Sequence, residues 1–429
     1  MKPLFVLLIT ALALQAQVIH VDDDASPGGN GSAPTPFKNL HEAVAYANTA
    51  SKDLTIHIAP GRYQLNETVH IQRGMTIVGS NQIELDSEEL PTGNLNDPAS
   101  ETRIVAGDAI ISTMISVGKD GEVIQAVKFR GLTLQNGKGN SAILDFARVQ
   151  DFEVRECIFL GSGPTLAPAP GAGINTFASS GTIRNTYTTR LTAAAFPGAG
   201  YAASPANVVF RNNRAVGNRI GVFLVGTSDG ISEPGDQLYV EIRNNDLSGN
   251  FEQLPSAGIR IALKSTEIAA RPDWGATGLE TGNIHAIVSN NRLVGNKVGI
   301  AIDSAFAYRR VPGSVPPVCD TRTFHGRFDL TFRNNEVRDS TFLPSLITFT
   351  QLQTTLPLVQ GLPPNYTAFQ FLHFTTFDIQ DPDGALAGSY ILHPATDPFV
   401  GPPCSADVTH EVLGNTLRIN GLLVSNTTP

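Results

Sequence analysis

Nine residues recur along this chain. Phe210 to Asn218 reads "FRNNRAVGN", and versions of it return as "IRNNDLSGN", "VSNNRLVGN" and "FRNNEVRDS". Looser relatives lie upstream in "VKFRGLTLQN" from Val127, "FEVRECIFLG" from Phe152 and "GTIRNTYTTR" from Gly181, and "HEVLGNTLRIN" closes the series. Such a period restricts the fold severely, because each unit is one small element that buries its apolar face only by stacking on the next. Within each unit apolar residues alternate, as at Val208 and Phe210, up to a corner rich in Asn or Gly, which is a short strand with one buried face. A second alternating run follows most corners: "RIGVFLVG" from Arg219, "AGIRIALKS" from Ala257 and "VGIAIDSA" from Val298. In the middle one, Ile259, Ile261 and Leu263 share one face and Arg260, Ala262 and Lys264 the other.

Repeated strand, corner and strand units predict a parallel β-helix. The repeated Asn then has a structural role, since amides stacked at the same bend can bond one another and the buried corner backbone. Composition agrees: only 16% of residues are charged, Gly is abundant (40), and Met (3) and Trp (1) are scarce, which favours strands and turns over helices. One helix is expected near the N-terminus, where Leu40, Ala43, Val44 and Ala47 fall on a single face. It would cover the open end of the coil stack, whose core and strand edges otherwise meet water.

The first residues, "MKPLFVLLITALALQAQ", have one Lys, an apolar run and a small residue before a cut site, so residues 1–16 read as a secretory signal peptide. No later run is apolar and long enough for a membrane span. A soluble, exported monomer is expected, placed outside the cell, in a periplasm or at the cell surface. Three cysteines are too few for a disulfide-stapled scaffold. Cys319 in "VPPVCD" and Cys404 in "VGPPCS" sit in similar contexts and are expected to pair, whereas Cys157 reads as a buried thiol. A net charge of −9 argues against nucleic acid as a partner. An acidic polysaccharide would need a local basic patch or a bridging cation.

The opening "VDDDASPGGNGSAPTPFKNLHEAV" and the strand pair "IHIAPGRYQLNETVHI" resemble the start of secreted right-handed β-helix proteins of the pectate-lyase-like superfamily. The likeness runs through the Asn-rich coils over nearly all of the mature chain. It implies an all-β, right-handed parallel β-helix, a solenoid with a short N-terminal capping helix and long corner insertions. Residues 17–82 would form the opening strand, capping helix and first coil, 83–352 the coils, and 353–429 a long insertion with the last coil. Function is left wide by the resemblance, which spans polysaccharide lyases, glycoside hydrolases, epimerases and adhesins.

The insertions fall at 226–237, 265–283, 305–327 and about 353–407, all after the second strand of successive coils. Stacking would bring them out at one corner as a wall beside one sheet, and a groove there is the default site. Aligning Gly221, Gly258 and Gly299 puts Phe223, Arg260 and Ala301 in one outward column and Val225, Ala262 and Asp303 in the next. Asp303 would then lie diagonal to Arg260 and Lys264. Nearby insertions add Trp274, Tyr308, Arg309 and Arg310. Two readings stand for this cluster. In one, Arg260 or Lys264 neutralises and deprotonates an acidic sugar with Asp303 alongside, Trp274 stacks on the substrate and Tyr308, Arg309 and Arg310 help to bind it, which is lyase chemistry. In the other, the charges form an exterior salt-bridge ladder.

Arg130, Arg155, Arg184, Arg211, Arg243 and Arg333 take one position in six coils, either as a polyanion track or as repeat duplication offset by Glu153 and Glu241. No carboxylate pair at hydrolytic spacing emerges, and no metal set either, although "DPDG" at Asp381 leaves calcium open beside its reading as a turn. The His residues His20, His57, His70 and His285 read as outward strand residues. The function expected from the sequence is action on, or binding of, extracellular polysaccharide; the rival is a surface-associated binding or structural protein without catalysis.

Overall fold

The computed structural model describes residues 17–107, 110, 113–118, 122–136, 142–161, 171–198, 205–226, 237–250, 256–265, 278–307, 323–341, 372–384, 390–392, 415–420 and 422–427. Within them the chain visits three sheets in rotation. The strand Ala206–Arg211 lies in the first, sheet A; Arg214–Ala215 lies in the second, sheet B; Ile220–Gly226 lies in the third, sheet C; and Gln237–Arg243 returns to sheet A. The returning strand pairs in parallel with the one it stacks on, from Ala206 opposite Leu238 to Arg211 opposite Arg243. Parallel crossovers are right-handed in nearly all proteins, and the product is a right-handed parallel β-helix.

Sheet A holds fourteen described strands, sheet C nine and sheet B six. The stack ends where Leu422–Thr427 turns back antiparallel on Asn415–Ile419. One apolar core runs through the coils from Ile19 to Ile379. Its largest members include Phe129, Phe146, Phe152, Phe159, Phe210, Phe328 and Phe332, all fully buried, with the Phe146 and Phe152 rings stacked at 4.7 Å. Burying each such ring stabilises the fold by about 1.5–3 kcal/mol.

The helix is Leu40–Thr49, and its buried residues are the four that the periodicity singles out. Asn39 caps it by accepting the Glu42 amide, which satisfies one of the free N–H groups of the first turn. The helix packs on the strands Gln17–Val21 and Val69–Ile71 at the start of the stack.

The recurring motif now resolves residue by residue. The first Asn of each "NN" pair, at 212, 244, 290 and 334, has φ between 53° and 55°, the left-handed region that Asn tolerates better than most residues. The second Asn points inward. Asn213 donates from its backbone and side-chain amides to Asn245 Oδ1, Asn245 does the same to Asn291, and Asn291 to Asn335, at 2.9–3.1 Å. Each also donates to a strand-end carbonyl, as Asn245 Nδ2 does to Phe210 O at 3.0 Å. In the "GN" half, Gly217, Gly249 and Gly295 take positive φ, while Asn218, Asn250 and Asn296 form a second ladder. In "FRNNEVRDS" the Gly-Asn pair is replaced by Asp339 and Ser340, so the second ladder stops at Asn296.

Cys157 is a free, fully buried thiol; burial pushes it up to about 12. Cys319 and Cys404 lie outside the described residues, as do residues 1–16. The stretch 353–407, expected to be one insertion, contains the strand Leu372–Gln380, a full member of sheet A paired with Thr323–Arg333. No described helix is long and apolar enough to cross a membrane.

Candidate functional site

Sheet C carries the residues that the periodicity favours. Phe223, Arg260 and Ala301 do share one column and Val225, Ala262 and Asp303 the next. The column is not the open groove expected, however: Val225, Ala262 and Ala301 are only 2, 5 and 1% exposed. These three side chains are small or apolar, while Phe223 and Arg260 beside them are partly exposed. Arg260 lies 5.0 Å over the Phe223 ring, which in turn meets Phe196 edge-on at 4.8 Å. A register shift after Ala262 sets Lys264 opposite Phe306. The side chains of Lys264 and Asp303, and residues Trp274, Tyr308, Arg309 and Arg310 altogether, lie outside what the structure describes.

Further up the same column, Asp145 stands opposite Asn175, whose Nδ2 donates to it at 2.8 Å. Burial raises the Asp145 carboxyl above the usual carboxylate range, and the Asn175 bond offsets this only in part. The folded state therefore holds this proton more tightly than the unfolded chain does. Its contribution to stability falls as pH rises from the ordinary carboxylate value through the raised one. Asp145→Asn is expected to raise the melting temperature at neutral pH, with the gain shrinking on acidification; calorimetry across pH showing a loss at neutral pH would contradict this.

Charged groups converge instead on the outward face of sheet A. The residue five places before each left-handed Asn forms a column: Asn207, Tyr239, His285 and Asp329, continued by Asp378. The Tyr239 and His285 rings stack at 4.6 Å and 11°. His285 Nδ1 meets Asp329 Oδ2 at 2.9 Å, and its Nε2 lies 2.9 Å from Gln237 Oε1. Arg327, two residues before Asp329 on the same face, donates to both Asp329 oxygens at 2.9 Å and to Asp378 Oδ2 at 3.0 Å. The bond to Asp329 raises the Arg327 pKa further, so this guanidinium is a permanent cation.

These residues line a groove of about 510 Å³ that also takes in Glu241, Ile287, Thr331 and Gln380. Tyr239 and Ile287 are large side chains left 41 and 53% exposed on its floor. Residues 227–236, 266–277 and 308–322, which make up most of the first three expected insertions, lie outside the described residues.

Asp329 and Asp378 overturn the expectation that no close carboxylate pair exists. They stand in register on neighbouring strands, and one nitrogen, Arg327 Nη2, touches Asp329 Oδ1 at 2.8 Å and Asp378 Oδ2 at 3.0 Å. The sequence signal is the repeated tripeptide, Phe328-Asp329-Leu330 and Phe377-Asp378-Ile379, obscured because the second copy falls in a stretch expected to be an insertion. His285 is an outward strand residue, as expected. "DPDG" is a turn, closed by Gly384 N to Asp381 O at 3.3 Å. Among the described residues, the group with metal-ligand spacing is Asp22, Asp23 and Asp24, of which Asp23 already accepts the Arg62 amide and Asp22 the Asp24 amide.

No family of known proteins matches the sequence, and no curated protein does. Among solved structures the chain is similar to the pectin methylesterase of Aspergillus niger, with a TM-score of 0.38 and 12% identity over 76% of this chain and 89% of that one. It is also similar to the catalytic domain of a GH87 α-1,3-glucanase in complex with tetrasaccharides, at 0.35 and 12% over 88 and 67%. The A-module of the mannuronan C-5 epimerase of Azotobacter vinelandii aligns at 0.30 and 14% over 82 and 90%.

Proposed function

We propose that this protein is exported, binds a polysaccharide along the outward face of sheet A, and cleaves it by acid and base chemistry at Asp329 and Asp378. The observation that carries the reading is the register of those two carboxylates across one arginine. Their bridged oxygens lie 2.8 and 3.0 Å from the same Arg327 Nη2, so they stand closer together than the about 6.5–9.5 Å of inverting glycosidases, which favours a retaining arrangement, whose carboxylates are about 5–5.5 Å apart. Asp329 is fixed on both oxygens by Arg327 and His285, so it is the carboxylate that meets positive charge developing at the sugar. Asp378 has one contact to Arg327 and is free to carry a proton to the leaving oxygen and later take one from water. Tyr239, exposed and backed by the His285 ring, offers a flat surface for a sugar face.

This favours water addition over elimination, since of the basic residues described in the groove Arg327 is engaged with two carboxylates and is a poor base, and His285 has both ring nitrogens engaged, by Asp329 and Gln237. Non-catalytic glycan binding is the second reading. It is favoured by the closure of the same network, in which Arg327 and His285 between them engage both carboxylates. Incubating the purified protein with a panel of neutral and acidic polysaccharides, with and without calcium, followed by mass spectrometry of soluble products, separates them. Water-added oligosaccharides are expected. Unsaturated products would return the chemistry to elimination, and binding without products would establish the second reading.

A further inference from the structure

The column of arginines at the opposite edge of sheet A is real. Arg130, Arg155, Arg184, Arg211 and Arg243 stand opposite one another on successive strands, followed by Ser289 and Arg333. Cations stacked at the spacing of neighbouring strands, about 4.8 Å, repel one another unless something neutralises them. The first coils supply that internally. Arg130 bonds Glu156 at 2.7 Å, Arg155 and Arg184 share Glu153 at 3.8 and 2.8 Å, and Arg243 meets Glu241 at 3.0 Å.

Two members are left over. Two residues before Arg211 stands Val209, and two before Arg333 stands Thr331, where the compensated coils have Glu153 and Glu241. Glu156, which pairs with Arg130, stands at the left-handed corner of the next coil, after Arg155; the matching corner beside Arg211 is Asn244, after Arg243. Accordingly, neither Arg211 nor Arg333 has an ion pair among the described residues. Arg211 is half-buried between Arg184 and Arg243 in register, and its Nε is buried with no hydrogen-bond partner. Asp383, on the coil that follows Arg333, accepts the Asn334 amide at 2.7 Å.

We infer that Arg211 and Arg333 are anion subsites, and that the polysaccharide bound on sheet A carries carboxylate or sulfate groups. An unpaired guanidinium flanked by two others is stabilised by an anion that reaches all of them, and Arg is the side chain best shaped to take a carboxylate or sulfate in two parallel bonds. The two subsites are three strands apart, about 14 Å along the helix axis. Glu241, Ile287, Thr331 and Gln380 fill the column between the arginines and the Tyr239, His285, Asp329 and Asp378 column. A polymer lying along the axis would thus have its charged substituents on one bank and its backbone over the carboxylate pair. With a net charge of −9 the protein repels polyanions overall, so attraction must come from this local stripe. The anion subsites stand on the arginines alone; the identity of the ligand as the polymer acted on rests on the function proposed above.

The test is calorimetric titration of the full chain with polygalacturonate, dextran sulfate and uncharged dextran at low and high salt, beside Arg211→Gln, Arg333→Gln, the double variant and Arg130→Gln. Binding to one charged polymer, weakened by salt, is expected, and which polymer binds tells carboxylate from sulfate. Each of the two key variants should weaken it about tenfold, while Arg130→Gln, whose arginine is internally paired, should not. Arg333 is exposed, so its variant keeps the native fold even if the half-buried Arg211 does not tolerate change. Equal binding of dextran, or a double variant that binds like the parent, would each overturn the inference. Charged-polymer binding that depends on the arginines but yields no cleavage would uphold the subsites and defeat the catalytic reading; cleavage indifferent to both arginines would do the reverse.

Discussion

Asn245→Ala is expected to destabilise the protein by about 3–5 kcal/mol. Asn245 is 1% exposed and stands in the middle of the inner ladder. Its Oδ1 accepts both the backbone and side-chain amides of Asn213, and its Nδ2 donates to Asn291 Oδ1 and Phe210 O. Truncation strips the Asn213 backbone amide and one Asn213 Nδ2 hydrogen of their acceptor and takes the side-chain donor from Phe210 O, while Asn291 Oδ1 keeps only the Asn245 backbone amide; in an apolar interior each unsatisfied group costs about 1–3 kcal/mol. Relaxation and water entry recover part of this, which keeps the total below the simple sum. The adjacent Asn212 supplies a left-handed corner and no rung. Asn212→Ala should therefore cost only about 1 kcal/mol. Guanidinium unfolding of both variants distinguishes the roles, and equal midpoints would show that the ladder contributes no more than the backbone turn.

That contrast explains how much of the fold was legible. The Asn pair, the alternating strands and the arginine column all sit at constant offsets from one corner, so stacking the repeats by eye reproduces the register of sheet A from Arg130 to Arg243. The helix was legible for a similar reason, since four apolar residues at helical spacing admit one buried face. The site was harder to read because it depends on long-range placement. His285, Asp329 and Asp378 come from three coils separated by runs of irregular length, and Leu372–Gln380 ends without the Asn-Asn corner that marks the earlier strands. Burial of the sheet C face was not legible either, because a period of two assigns a side chain to a face and is silent on what covers that face. Val225 and Ala262, apolar in outward positions, were the hint that these two places are covered.

The largest functional effect should follow from Asp378→Asn. Cleavage is expected to fall about 10²–10⁴-fold, with substrate affinity nearly unchanged. The replacement keeps an oxygen to accept the Arg327 bond and removes only the ability to shuttle a proton, so a loss in kcat without a rise in KM separates a chemical role from a binding one. Asp329→Asn should be at least as damaging, because its one remaining oxygen cannot keep all the contacts that His285 and Arg327 make to the two carboxylate oxygens. Tyr239→Ala should act differently, raising KM through the lost stacking surface while kcat changes little. All three side chains lie on the outward face, so thermal unfolding should move little. Arg260→Ala serves as the counter-experiment from the other sheet. Its side chain packs on Phe223, away from the carboxylate pair, and cleavage should persist. If activity instead disappears with Arg260 and survives at Asp378, the reaction belongs to sheet C, and the carboxylate pair is a surface network that holds neighbouring coils together.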